Sequence, residues 1–425
     1  MRALRIDRSV GRFGAARILS AVSPAGATRV GPLEYRTIDD PDHPGEGWHR
    51  VHTRLSGICG SDLSLVDGHA STYFDDWVSF PFVPGHEVVG ELRHDDGTRE
   101  RIVLEPVLGH AARGVEPPFD GARPADGDDH AHLAMTSPQG IEPAIQTGFC
   151  CSTGGGWAPW FWAHDSQIHR LDADVAEFPD ERAVLVEPFA GGIHAALQAL
   201  PTLDGVSDPV VAVLGAGTMG LAAVAGLRRY VPGVRVIVGA RYPHQRRLAL
   251  SLGADVAVAA PELDRAVRRE VGCHVIGRPD GGILSSGAHV TIDAVGTSAS
   301  IADALRITRP RGRIVLLGMP AEVGLDLTGL WHREIELKGA YTYGTETLTD
   351  GSTESTFRLA MDTVTAVGAE RLVSASYPLD EHVDAITHAA QAGRRGAVKI
   401  VFDLRDDADP TGSRPTTPDR SKEPR

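Results

Sequence analysis

Residues 209–227 read PVVAVLGAGTMGLAAVAGL. An apolar run stops at the first glycine of Gly215-Ala-Gly217-Thr218-Met219-Gly220, and a helix-like LAAVAGLRR follows. The first glycine of such a turn permits the tight bend, and the second lets a pyrophosphate approach the backbone. The third lets helix pack on strand, with phosphate held at the helix N-terminus. Alone, this pattern is a weak signal. Between a strand and a helix it predicts a dinucleotide site at Gly215, Gly217, Thr218, Met219 and Gly220. The stretch is also the most membrane-like in the sequence, but its glycines suit strand, turn and helix better than a span.

Outward from this motif, VRVIVGA, RRLALSLGA, HVTIDAVG, IADALRI and RIVLLGM alternate strand-like and helix-like texture. That alternation predicts a parallel sheet covered by helices. The second strand ends at Ala240-Arg241, where an acid would ordinarily bond the ribose 2′-hydroxyl of NAD. A small neutral residue followed by a forked cation predicts NADP(H) preferred over NAD(H), with Arg246 and Arg247 as further candidates. The alternative is a surface arginine at a strand end.

Upstream, the first ~190 residues carry turn signals and short β-like runs such as WHRVHTRLSGI and FVPGHEVVGEL, which read as an antiparallel, partly barrel-shaped region. The closing run VKIVFDL returns to that texture. The expected boundaries are 1–195, 196–342 for the dinucleotide domain, 343–405, and a disordered tail at 406–425.

The 425 residues suit two domains, and a formal charge of −14 argues against nucleic-acid binding. Of the 42 basic residues only Lys338, Lys399 and Lys422 are lysine, a bias given no functional weight. The N-terminal MRALRIDRSVGRFGAARIL lacks the apolar run and cleavage site of a signal peptide, so a cytoplasmic location without membrane attachment is expected. Cys59, Cys150, Cys151 and Cys273 form no C-x-x-C pair, and the adjacent Cys150 and Cys151 read as reduced.

Three further motifs each supply one candidate metal ligand: GICGSD at 57–62 gives Cys59, PGHEVVG at 84–90 gives His86, and LVEPFA at 185–190 gives Glu187. Three protein ligands leave a fourth tetrahedral position open, as a catalytic zinc requires.

In this order, and followed by the glycine motif, these segments resemble the zinc-dependent alcohol dehydrogenases of the medium-chain dehydrogenase/reductase superfamily, in the branch of polyol, threonine and glucose dehydrogenases. The resemblance implies a GroES-like catalytic domain joined to a Rossmann domain, an α/β protein overall. It implies one catalytic zinc on Cys59, His86 and Glu187, with Glu87 close enough to exchange onto the metal. Ser61 would accept the proton of a small-molecule alcohol on its way to the ketone, and the chain would form a homo-oligomer, dimer or tetramer. Asp62 matches an acid that orients a ligand, with helix capping as the other reading.

The sequence departs from the family in two places. No cysteine lies between Val107 and Gly148, so no structural zinc is expected. His110, His130, His132, Asp126, Asp128 and Asp129 there read as a polar loop. Ser64 stands where many relatives carry a relay histidine, leaving His52, His69 or water to complete the path. Tyr73, Phe74 and Trp77, and the GGGWAPWFW run, border the pocket or simply pack. Two rivals remain: a zinc-free reductase of an activated double bond, and a non-catalytic dinucleotide sensor.

Overall fold

The computed structural model describes residues 1–114, 142, 144–277 and 282–405. Two sheets organise them. The first is six-stranded and wholly parallel, formed by Val210–Leu214, Arg235–Ala240, Val256–Ala259, Ala288–Asp293, Thr308–Leu316 and Glu336–Gly339. Numbered by their order along the chain, these strands lie side by side as 3-2-1-4-5-6, the doubly wound arrangement whose strand order reverses between strands 1 and 4. Val210–Leu214 is buried at every residue, which explains why its sequence is a continuous apolar run rather than an alternating one.

The second sheet is seven-stranded and joins both ends of the chain. Trp48–Gly57, Val88–Arg93, Arg99–Leu104, Trp160–His164 and Ile168–Arg170 pair antiparallel, and Lys399–Asp403 adds antiparallel to the Gly57 end of the first of these. Val401 lies opposite Gly57, and Ile58 N–H donates to Ile400 O at 3.0 Å. Residues nearly 350 positions apart in sequence therefore meet beside Cys59.

Two helices hold the sheets in register. Val186–Leu197, which carries Glu187 in its first turn, packs against Thr218–Tyr230, which opens at the glycine motif. A β-carbon on Gly192 would overlap Ala222, and one on Gly226 would press on Ile193. Only glycine permits this close approach, and it fixes the candidate metal region relative to the candidate cofactor loop. Asp180–Leu203, rather than 210–227, is the most membrane-like helical run, and 83% of its apolar window is buried as a core element.

The β-like reading of the first residues needs correction. Between the strands Arg2–Ile6 and Leu33–Thr37 stand two helices, Val10–Ser20 and Pro24–Val30. Gly11 and Gly14 weaken the helical signal of the first, whereas Ser23 caps the second by accepting from Gly26 N at 3.0 Å, with Pro24 in its first turn. Phe13 meets Phe80 edge-on at 6.3 Å, seating the pair on the sheet domain. The expectations for Asp126, Asp128, Asp129, His130, His132 and the tail at 406–425 lie outside the described residues.

Candidate active site

Cys59, His86 and Glu87 converge from two segments. Each offers a ligand atom, and these atoms all lie within 4.8 Å of one another, the one such cluster among the described residues. Cys59 sits just ahead of the short helix Gly60–Val66, held there by Asp62, whose Oδ2 accepts from Cys59 N at 2.9 Å. The other oxygen of Asp62 faces His86 Nδ1 at 3.5 Å. Neither atom has a closer partner, and both are buried. The two readings of Asp62 are thus one arrangement: it caps the helix and steers the imidazole, leaving Nε2 as the nitrogen free for a metal.

Burial alone would lower the His86 pKa, but the charges of Asp62 and Cys59 outweigh it and hold it well above the ordinary value. A buried imidazole beside a cysteine sulfur and buried acids is a donor set that suits a divalent cation.

Glu87 is buried against Gly57, where any side chain would collide with its carboxylate. Lys399 Nζ donates to both Glu87 oxygens, at 2.7 and 2.5 Å, and to Ile58 O at 3.2 Å. Glu187 stands outside the 4.8 Å set. It accepts from Tyr343 Oη at 3.1 Å, and burial pushes its carboxyl up to about 7; the charge of Glu87 adds to this, while His86 and Lys399 oppose it. The geometry therefore offers two carboxylates to a metal on Cys59 and His86, the nearer one already paired with a lysine.

Sequence reading missed Lys399 and Tyr343. For Lys399 a signal existed: in a chain that uses arginine almost everywhere, this lysine interrupts the apolar run VKIVF. Arginine suits the surface. A buried point charge with three donors, aimed at one carboxylate and one carbonyl, suits lysine.

The cofactor loop has the form the sequence implies. Gly215 lies at φ +91° and its N–H donates to Gly239 O at 2.9 Å. A β-carbon on Gly220 would overlap Gly215 O, whereas Gly217 faces open space at the uncapped N-terminus of the Thr218–Tyr230 helix. Free N–H groups there can cradle phosphate. Thr218 and Met219 are half-buried in the same turn, and Met219 reaches Gly191 of the Glu187 helix.

These observations agree with comparison against known proteins. Residues 218–365 match the zinc-binding dehydrogenase family model and residues 45–115 match the alcohol dehydrogenase GroES-like domain, together just over half of the chain. The chain belongs to the medium-chain alcohol dehydrogenase family, whose two domain models it matches. Among curated relatives, an erythritol/L-threitol dehydrogenase of Mycolicibacterium smegmatis is 28% identical over 325 residues, covering 73% of this chain and 81% of its own. A human sorbitol dehydrogenase is 26% identical over 366 residues, covering 83% and 88%. Among solved structures, the 2R,3R-butanediol dehydrogenase of Bacillus subtilis superposes with a TM-score of 0.65 at 17% identity over 95% of this chain and 99% of its own, which bears on the fold alone. As an alcohol dehydrogenase, the chain is an oxidoreductase interconverting alcohol and ketone.

The remaining sequence candidates fall in different places. Ser61 lies on the Cys59 helix, half-buried. His52 is half-buried and kept neutral, its pKa lowered to about 4 by burial and by Arg93, Arg50 and Arg99. His69 is exposed and paired with Asp67 at 3.0 Å. Tyr73, Phe74 and Trp77 form a contacting aromatic group on a surface turn, with Tyr73 66% exposed. Trp157 is core, packed edge-on to Phe402. Cys150 and Cys151 are free, and burial pushes the Cys150 thiol up. Arg241 is exposed beyond the buried Ala240, while Arg246 is committed to Ala240 O at 3.1 Å.

Proposed function

We propose that this alcohol dehydrogenase is zinc-dependent and NADP(H)-preferring, and oxidises a secondary alcohol of the polyol, sugar or cyclitol class to its ketone. Residues 1–195 and 343–405 form the catalytic domain and 196–342 the cofactor domain. The observation that carries the reading is the meeting of Cys59, His86 and the buried Glu87 in one ligand cluster, with the charges of His86 and Glu87 felt by Glu187 in the first turn of a helix whose glycines lock it to the cofactor-loop helix. Bound zinc would supply Lewis acidity toward the alcohol oxygen.

Each residue then has a task. Cys59, His86 and either Glu87 or Glu187 would hold the ion, Asp62 steers His86, and Lys399 neutralises Glu87. Ser61 takes the alcohol proton. The glycine loop and the uncapped N-terminus of the Thr218–Tyr230 helix would hold the pyrophosphate of the dinucleotide, which supplies the hydride acceptor, and Met219 packs between that loop and the Glu187 helix. At the far end Arg241 pairs with the 2′-phosphate; a charge-assisted hydrogen bond of about 1.5–3 kcal/mol corresponds to roughly 10- to 150-fold in favour of NADP. The family relatives that act on erythritol, L-threitol and sorbitol support the substrate class.

The test is a screen of polyols, sugars and amino alcohols with both dinucleotides. Alcohol-dependent reduction with the higher kcat/KM on NADP supports the reading, and no turnover of any secondary alcohol overturns it.

A further inference from the structure

We infer that Arg394, from the other domain, is a second arm of the 2′-phosphate site, so that the 2′-phosphate of NADP adds a tie between the two domains that NAD cannot make. The inference rests on the NADP reading above and adds a residue and a mechanical consequence to it. Tyr242, the residue after Arg241, lies flat on Gly393 in the turn between the helix His382–Ala390 and the strand Lys399–Asp403; a β-carbon on Gly393 would overlap its ring. This contact crosses from the parallel-sheet domain to the other, and Arg241 and Arg394 are the chain neighbours of the two residues that make it.

Of the arginines gathered here, two are already committed: Arg246 to Ala240 O at 3.1 Å, and Arg395 to Gln391 Oε1 at 3.1 Å. The guanidinium groups of Arg241 and Arg394 are exposed and have no hydrogen-bond or ion-pair partner among the described residues; Arg241 has only the Tyr242 ring, at 5.6 Å. Two residues after Arg241 the Pro243–Ser251 helix begins, adding the positive end of its dipole, and Nε2 of His244 in its first turn is buried without a hydrogen-bond partner. Two free forked cations, one from each domain and each next to a residue of the interdomain contact, form a site for a dianionic phosphate monoester. A ribose carrying that phosphate would tie the sheets together; a ribose with a free 2′-hydroxyl would leave Arg394 in solvent.

Calorimetric titration of the zinc-loaded full chain with adenosine 2′,5′-bisphosphate and with adenosine 5′-monophosphate separates the outcomes without relying on turnover. In the unmodified protein the bisphosphate should bind more tightly. Arg394→Ala should weaken the bisphosphate by about 10-fold, as expected for loss of a charge-assisted pair, with the monophosphate unchanged within about twofold. Arg394→Glu should weaken it further. Equal loss on both ligands, or no loss on the bisphosphate, overturns the bridge. If the bisphosphate is preferred and only Arg241→Ala relaxes that preference, the NADP reading stands and the second arm falls. If the unmodified protein shows no preference, both fall.

Discussion

Lys399 concentrates more of the site's electrostatics than any residue the sequence made conspicuous. It is 3% exposed, and its ammonium is raised above its usual pKa because Glu87, Cys59 and Glu187 outweigh the burial that would lower it. Removing one partner of such a pair leaves the other charge buried, at a cost of about 3–5 kcal/mol. Lys399→Met should therefore unfold at much lower denaturant than the parent, while Lys399→Met with Glu87→Gln recovers most of the loss; equal instability in both would show that the pair is not what Lys399 provides. Ser61→Ala should lower kcat by about 10²–10⁴, the worth of a positioned proton transfer, and by more than Ser64→Ala. Comparable rates for the two variants would remove Ser61 from the path. Glu187 makes the site sensitive to pH. Its folded pKa of about 7 lies above the ordinary 4.5, so between those values the folded chain holds more protons than the unfolded one, and stability falls as pH rises. The raised His86 acts in the same direction, its contribution present at low pH and lost as pH rises through the folded pKa. Metal-free protein should thus lose stability across that window, and Glu187→Gln should flatten the slope; an unchanged slope would place the titration elsewhere. Metal displaces the same protons, so its apparent affinity should rise with pH.

The contact between the Val186–Leu197 and Thr218–Tyr230 helices brings the Glu187 motif and the glycine motif, far apart in function as read from sequence, onto two packed elements. Gly192→Ala would drive a methyl into Ala222, and overpacking of this kind costs about 1–3 kcal/mol. The variant should melt lower and lose kcat while still binding zinc, because Cys59 and His86 belong to the other sheet. A Gly192→Ala protein with parental kcat would mean that the helix contact does not set the distance between metal and cofactor. The element scale also marks how far the sequence could be read. Strands buried on both faces, such as VVAVL, and the glycine turn were legible because burial and backbone approach each demand a residue type. Gly192 gave no such signal, since its reason is Ala222 on another helix. The Val10–Ser20 helix was hidden for a different cause: its glycines and its exposed Val10 and Ile18 blur the helical period. Asp62 was legible as a choice between two roles, and only the fold reveals that its two oxygens serve both.

At the scale of the whole molecule, the sequence implied that the closing run VKIVFDL returns to the texture of the first part of the chain, but not the register in which it pairs there. Lys399 reaches Glu87 only because Lys399–Asp403 pairs beside Gly57, a long-range register that no local pattern encodes. Cys59, His86 and the acids were readable as a motif set; their neutralising cation was not. The same architecture separates functions. Cys59→Ala should lose bound metal and turnover yet keep dinucleotide affinity, as the glycine loop lies on the parallel sheet; loss of both together would show that the two sites do not fold independently. The most direct test of the central claim is a zinc titration. Protein stripped by a chelator is given zinc in fractional equivalents, and polyol-dependent reduction of NADP is followed at each step. Activity should start near zero, rise linearly, and stop rising at about one zinc per chain, the single open catalytic site of three protein ligands. Full activity in the stripped protein, or a rise that continues to two equivalents, would contradict it.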